Sequence, residues 1–157
     1  MVKIDPFDRK ILMALQENAR ITTQELAERV GLSATPCARR VKRMEDEGLI
    51  DRYVTLLNPA RLGAGLTVFV NVRLDTQSAK TFDAFETAIG RMPEVSGCYL
   101  LAGNYDYLVQ GRVADIEAFR TFIRDRLAAI EGIGETQSNV VLEATKQTTA
   151  LPLDGGA

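Results

Sequence analysis

The sequence has 157 residues, 46% apolar and 25% charged, with a formal net charge of −2 from 19 basic and 21 acidic side chains. That is the profile of one ordinary soluble domain or two small ones, and the mild acidity excludes a generally basic protein that coats nucleic acid. There is no histidine, which removes the commonest general base, the commonest metal ligand and every Ser–His or Cys–His pair.

The opening stretch MVKIDPFDRK has no apolar core or cleavage site, so it does not read as a signal peptide. No apolar run approaches the roughly 20 residues of a membrane helix, and a cytoplasmic protein without a membrane partner is expected. Asp5 is placed to cap a first helix with Pro6 at its first position, burying Phe7, Ile11, Leu12 and Leu15 and stopping near Asn18. A second helix starts at Thr22, with Glu25 completing a capping box, buries Leu26, Ala27 and Val30, and stops at Gly31. Ser33 then caps a third that runs to Gly48. Leu49–Val54 reads as a short strand, a wing, with Arg52 facing phosphate. Leu57–Gly65 is rich in turn formers and reads as a linker.

Beyond the linker the periods alternate in the order β-α-β-β-α-β. Leu66–Asp75 places Leu66, Val68, Val70, Val72 and Leu74 on one face. Ser78–Arg91 is a helix with Phe82, Phe85, Ile89 and then Met92 on one stripe. Val95–Ala102 and Tyr105–Val113 read as strands joined tightly through Gly103-Asn104. Asp115 caps a helix burying Ile116, Phe119, Ile123, Leu127 and Ile130; Gly132-Ile133-Gly134 ends it, and Thr136–Ala144 is the last strand. This is the split βαβ, or ferredoxin-like, order. The expected class is α+β: a winged helix-turn-helix over residues 1–53, a linker over 54–65 and a ferredoxin-like domain over 66–157. The strand Val95–Ala102 is apolar on both sides, and Phe69 adds to the face opposite Val68 and Val70. That much apolar surface on a sheet with helices on one face only implies a homodimer formed sheet to sheet.

The charges on the third helix carry the first functional signal. At about 100° per residue, Cys37, Val41 and Met44 form its core stripe, while Thr35, Arg39, Lys42 and Arg43 point the opposite way and Arg40 sits on the flank. From Ser33 to Met44 there is no acid. On the third helix of a tri-helical unit, this is what a recognition helix needs: Arg forks onto guanine, while Lys and hydroxyl groups hold phosphate. The plainer reading is a solvated charged face. Cys37 and Cys98 are too far apart for a CxxC site and read as small core residues, and no metal or cofactor is expected.

Gly31–Tyr53 (GLSATPCARRVKRMEDEGLIDRY), with Asp8, Ile11, Leu12 and Leu15 upstream and AGNYDYLV and ETQSNVVLEATKQTTALP downstream, resembles the Lrp/AsnC family of bacterial and archaeal transcription regulators. The likeness runs from about Ile4 to Leu153. It implies a winged helix-turn-helix that contacts double-stranded, pseudo-palindromic DNA through Ser33, Thr35, Arg39, Arg40, Lys42, Arg43 and Arg52. It also implies a ferredoxin-like effector domain and assembly into homodimers and octamers. By the same resemblance, Gly103, Asn104, Tyr105, Asp106 and Tyr107, with Thr136 and Ser138, bind a small amino acid between dimers. The family usually has Asp where this chain has Asn104, which removes one carboxylate from that loop. The ending KQTTALP resembles a branch close to regulators of amino-acid catabolism, with leucine, methionine and cysteine as candidate effectors.

Two rival readings share the fold. An enzyme would have to use Tyr105, Asp106, Tyr107 and Glu143, but no nucleophile is paired with a base among them. An architectural, chromatin-like protein would bind DNA broadly and sense nothing. For the loop itself, the plainer reading is a well-made hairpin whose tyrosines pack and whose Asp accepts turn hydrogen bonds.

Overall fold

The structure, a computed structural model, describes residues 3–153. Its contacts divide the chain into two compact units, one of residues up to Thr55 together with the chain from Lys146 onward, the other Leu56–Thr145.

The first unit holds α1 (Pro6–Glu17), α2 (Thr23–Val30) and α3 (Ala34–Asp46). Two of the three expected N-termini form reciprocal capping boxes, Asp5 with Asp8 on α1 and Thr22 with Glu25 on α2. Gly31 ends α2 at φ +77°, a left-handed turn that a side chain would strain and that lets the chain double back into α3. Ile11, Ala14, Leu26, Ala27, Val30, Cys37 and Met44 form the core. The inward face of α1 is rotated from the expected stripe: Asp8 is buried with Ile11 and Ala14, while Phe7 is 38% exposed beneath the Arg40 guanidinium. No strand forms over 49–58. A strand needs a ladder partner, and none of the described residues pairs with that segment. The segment from Lys146, placed by its sequence in the second domain, returns to α1. Gln16 accepts from the Leu151 N–H at 2.6 Å and donates to its carbonyl at 3.2 Å, and Arg9 donates to the Leu153 carbonyl at 3.0 Å.

The second unit runs β1 (Leu66–Leu74), α4 (Ala79–Ile89), β2 (Val95–Leu100), β3 (Tyr107–Val113), α5 (Ile116–Thr121, continued as a π-helix over Phe122–Leu127) and β4 (Ile133–Val140). The sheet is antiparallel in the order β2-β3-β1-β4, which is the expected ferredoxin-like arrangement. Alternation on β1 sends Val68, Val70, Val72 and Leu74 inward, where β3 and the helices supply Tyr107, Val109, Phe85, Ile89, Phe122 and Leu127.

Several local expectations give way to tertiary geometry. The π-turn closes with Ala128 N–H on the Ile123 carbonyl at 2.9 Å and lines up Phe122 with Leu127, five residues apart. Phe122 is therefore buried and Ile116 is 54% exposed. Gly111 makes the room: a Cβ there would lie 3.0 Å from Val68 Cγ2 and 3.7 Å from the Phe122 ring. Strand β2 lies at a sheet edge, and a bulge between Val95 and Gly97 turns Val95 to the same inward face as Cys98. The outer face is narrower in apolar content than the sequence suggests. Phe69, Leu108 and Tyr99 are interspersed with Asn71, Gln110 and Gln137. Strand β4 starts at Ile133, because its pairing with β1 continues to Leu74 past a register shift.

Candidate functional site

The recognition face is built by α3. Ser33 occupies its cap position in extended backbone, yet its hydroxyl makes no capping bond. Thr35 and Arg39 are exposed, and among the described residues Arg39 has no ion-pair partner. Lys42 is exposed and paired with Asp46 at 3.2 Å, a solvated contact that phosphate can replace at little cost. Arg52 stands on the extended segment after α3, largely exposed, 3.5 Å from Asp51.

Arg40 and Arg43 are placed differently. Their flank of α3 faces the start of α1, where the two capping carboxylates wait. Arg40 Nη1 donates to Asp5 Oδ2 at 2.6 Å and to Asp8 Oδ1 at 2.8 Å, and Arg43 Nη2 donates to Asp8 Oδ2 at 2.6 Å. Asp8 is 1% exposed. Burial pushes its carboxyl up, but the Asp5 N–H and the Arg43 and Arg40 guanidiniums outweigh that and hold it below the usual carboxylate range. A cleft of about 430 Å³ lined by Asp5, Leu32, Pro36, Arg39, Arg40 and Arg43 opens beside this cluster.

In the second unit the segment 101–106 joins β2 to β3. It is a six-residue loop closed by Leu101 N–H on the Asp106 carbonyl at 2.8 Å. The two-residue turn expected at Gly103-Asn104 does not form, since neither residue takes the positive φ it would require. Gly103 and Asn104 are exposed, and Tyr105 reaches Glu135 Oε1 with its hydroxyl at 3.4 Å. Asp106 is 7% exposed, and both its oxygens are engaged inside the unit. Oδ2 accepts from Leu74 N–H and Oδ1 from Gln77 Nε2, each at 2.8 Å. Tyr107 belongs to the core, its hydroxyl donating to Glu86 Oε1 at 2.7 Å; burial first, then the Glu86 carboxylate, push its phenol well above the ordinary value. Thr136 and Ser138 stand opposite Val72 and Val70 on the edge strand, and each lines a cleft beneath α5 and its π-helical continuation. Since Val72 also pairs with Tyr107, the 101–106 loop and Thr136 lie at one end of the sheet, on either side of β1.

A family model for winged helix-turn-helix DNA binding matches residues 4–51, and one for the Lrp/AsnC ligand-binding domain matches residues 67–151. The leucine-responsive regulatory protein of Escherichia coli K12 is 42% identical over 148 residues, covering 94% of this chain and 90% of that protein. The chain belongs to the Lrp/AsnC family. Solved structures of transcriptional regulators superpose on nearly all of it. A transcriptional regulator from Neisseria meningitidis, in complex with L-Met, shares 41% identity at a TM-score of 0.93, covering 97% of this chain and 98% of its own. An AsnC family regulator from Agrobacterium tumefaciens shares 41% at 0.91, covering 96% and 98%. The chain is thus a DNA-binding transcription regulator of the Lrp/AsnC type and not an enzyme. Of the residues an enzyme would need, Asp106 and Tyr107 are committed to internal hydrogen bonds. Among the described residues no helix is long and apolar enough to cross a membrane.

Two residues of this Lrp/AsnC chain show their roles only in three dimensions. Asp8 belongs to the stretch that carries the family resemblance, but its pairing with the basic run on α3 is not read from the sequence, although its spacing from the Asp5 cap and the absence of acids on that run were visible signals. Glu135 brings a carboxylate to the loop that carries Asn104. Asp106 has a testable role as a brace for that loop. Asp106→Ala leaves the buried Leu74 N–H without an acceptor and is expected to cost about 1–3 kcal/mol in urea unfolding. Asp106→Asn keeps an acceptor for Leu74 and is expected to recover most of that stability; equal losses in the two variants would refute the brace.

Proposed function

We propose that the chain is an amino-acid-responsive regulator that acts in the cytoplasm as a homodimer, and as an octamer of four such dimers, on pseudo-palindromic DNA. The observation that carries it is the outer face of α3, where Arg39 and Lys42 stand exposed beside the unused hydroxyls of Ser33 and Thr35. In this reading Arg39 forks onto a base edge, Lys42 exchanges Asp46 for phosphate, and Ser33, Thr35 and Arg52 hold the backbone. Paired copies of α3 in a two-fold dimer require half-sites related by the same symmetry. Dimerisation is supported by the exposed apolar side chains of edge strand β2, Tyr99 and Leu100 at 52% and 65%, and by the exposed, unpaired run Tyr53–Leu57.

The effector is an amino acid with a small apolar side chain: leucine, methionine or cysteine. Support comes from the L-Met held by the Neisseria relative and from the leucine-responsive designation of the Escherichia coli one. Gly103, Asn104 and Tyr105 offer loop backbone and an amide at one end of the sheet, and Thr136 and Ser138 offer hydroxyls over the apolar floor of α5. Asp106 and Tyr107 hold the loop in shape from below. The ligand shifts the regulator between assemblies only by binding one of them more tightly.

Arg39→Ala tests the DNA-reading face. It removes an exposed side chain with no ion-pair partner among the described residues, so the fold stays intact. The affinity for the chain's own operator is expected to fall by about 5- to 150-fold, the worth of one good base contact. Unchanged operator affinity at constant salt would exclude this face as the reader.

A further inference from the structure

Of the four cations on α3, two are withheld. Arg40 and Arg43 are one turn apart and grip the two oxygens of a single carboxylate, Asp8, which also accepts the Asp5 N–H at 3.1 Å. Asp5 takes a second bond from Arg40 at 2.6 Å and caps α1 through the Asp8 N–H at 2.9 Å. Asp8 is enclosed and is thereby fully bonded, whereas Arg40 and Arg43 keep 28% and 41% of their side chains in solvent. The arginines therefore stand at the surface, within reach of a polyanion, and are neutralised from beneath. Among the described residues Arg43 Nε has no hydrogen-bond partner, and it lies 3.8 Å from Glu47.

This geometry does two things. Two bonds from successive turns to one fixed carboxylate act with the buried Cys37 and Met44 to hold the rotation of α3 about its axis, with Arg39 and Lys42 facing outward. The same bonds remove two positive charges from the set available to phosphate, and phosphate contacts add affinity without adding sequence discrimination. We propose that Asp8, assisted by Asp5, is a positioning residue for DNA recognition: it helps to hold the rotation of α3 and keeps Arg40 and Arg43 back from the DNA backbone, so that binding stays selective. The inference rests on the outer face of α3 being the reading face.

The test compares operator and random duplex over a salt series for wild type, Asp8→Asn and Asp5→Asn, with Arg39→Ala as reference. The amide keeps the size and an acceptor at each position and removes the charge that retains the arginines. In Asp8→Asn the slope of log K against log salt for random duplex is expected to steepen by about one for each arginine released per bound protomer. Random-duplex affinity is expected to rise about tenfold at low salt, and the operator preference to shrink. Asp5→Asn, which removes one of the two carboxylates on Arg40 and leaves Asp8 and Arg43 untouched, is expected to give a smaller change of the same sign. It keeps the question open to refutation if Asp8→Asn does not fold. An unchanged or shallower slope in a folded variant overturns the proposal, including the case where operator and random binding weaken equally, as a merely structural role would produce. Arg39→Ala separates the two layers. If it weakens operator binding while the Asp variants leave the slope unchanged, only the role of Asp8 fails. If it has no effect, the reading face itself is wrong.

Discussion

Truncating Phe85 to alanine is expected to destabilise the second unit by about 3–5 kcal/mol, the usual cost of emptying an aromatic site in a closed core. Phe85 is fully buried and packs on the Tyr107 ring with centroids 4.5 Å apart and planes inclined at 34°. Tyr107 is pinned by its own bond to Glu86, so it cannot swing into the vacated space without giving up a buried hydrogen bond. The cavity therefore stays. Since a unit of this size holds roughly 5–15 kcal/mol in total, the variant is left near its unfolding threshold. The two cores share no residue, so the loss should be local. Native-state hydrogen exchange is expected to show faster exchange for amides of β1 and β3 and unchanged protection in α1–α3. Uniform loss across both units would refute the separation of the cores.

The second large effect is expected from Asp8→Ala, at about 3 kcal/mol, the low end for breaking a buried ion pair, because Arg40 and Arg43 can rehydrate through their exposed parts. The same carboxylate predicts a pH dependence. Its native value is lowered, so the unfolded chain takes up its proton first as pH falls. The stabilisation is complete above the unfolded carboxylate range, about pH 4 to 5, and drains away as pH drops through the lower native value. Wild type should lose stability in the first unit on acidification below about pH 4, and Asp8→Ala should show a flatter acid limb there. An identical acid limb in the two proteins, followed by denaturant unfolding at each pH, would contradict this linkage.

What the sequence made legible was whatever is encoded locally. The Asp5, Thr22 and Asp115 caps, the left-handed stop at Gly31 and the alternation of β1 each depend on a few adjacent residues, and each lies where the spacing put it. The departures come from partners distant in the chain. Asp8 sits on the inward side of α1 because two arginines more than thirty residues away neutralise it, which no helical wheel of α1 alone can show. Val95 changes face because a bulge opposite Gln110 and Gly111 inserts one residue into the alternation. Phe122 replaces Ile116 in the core because the helix widens into a π-turn above Gly111. The basic face of α3 was located from sequence, and so was the β2–β3 connection around Gly103-Asn104, though as a two-residue turn and not as the six-residue loop that forms. The division of labour inside them was not: Arg40 and Arg43 against Arg39 and Lys42, Asp106 and Tyr107 against Asn104 and Tyr105. Only the three-dimensional contacts show which of these charges and hydroxyls are already engaged.

The most direct test of the account is a binding titration of the full chain with its own upstream DNA and with a random duplex at physiological salt, each with and without methionine, leucine and cysteine. An amino-acid-responsive regulator is expected to prefer its own DNA by roughly a thousandfold or more, with one of the three amino acids shifting that affinity. Equal affinity for both duplexes, unmoved by any of them, would contradict it and identify an architectural DNA-binding protein built on the same fold.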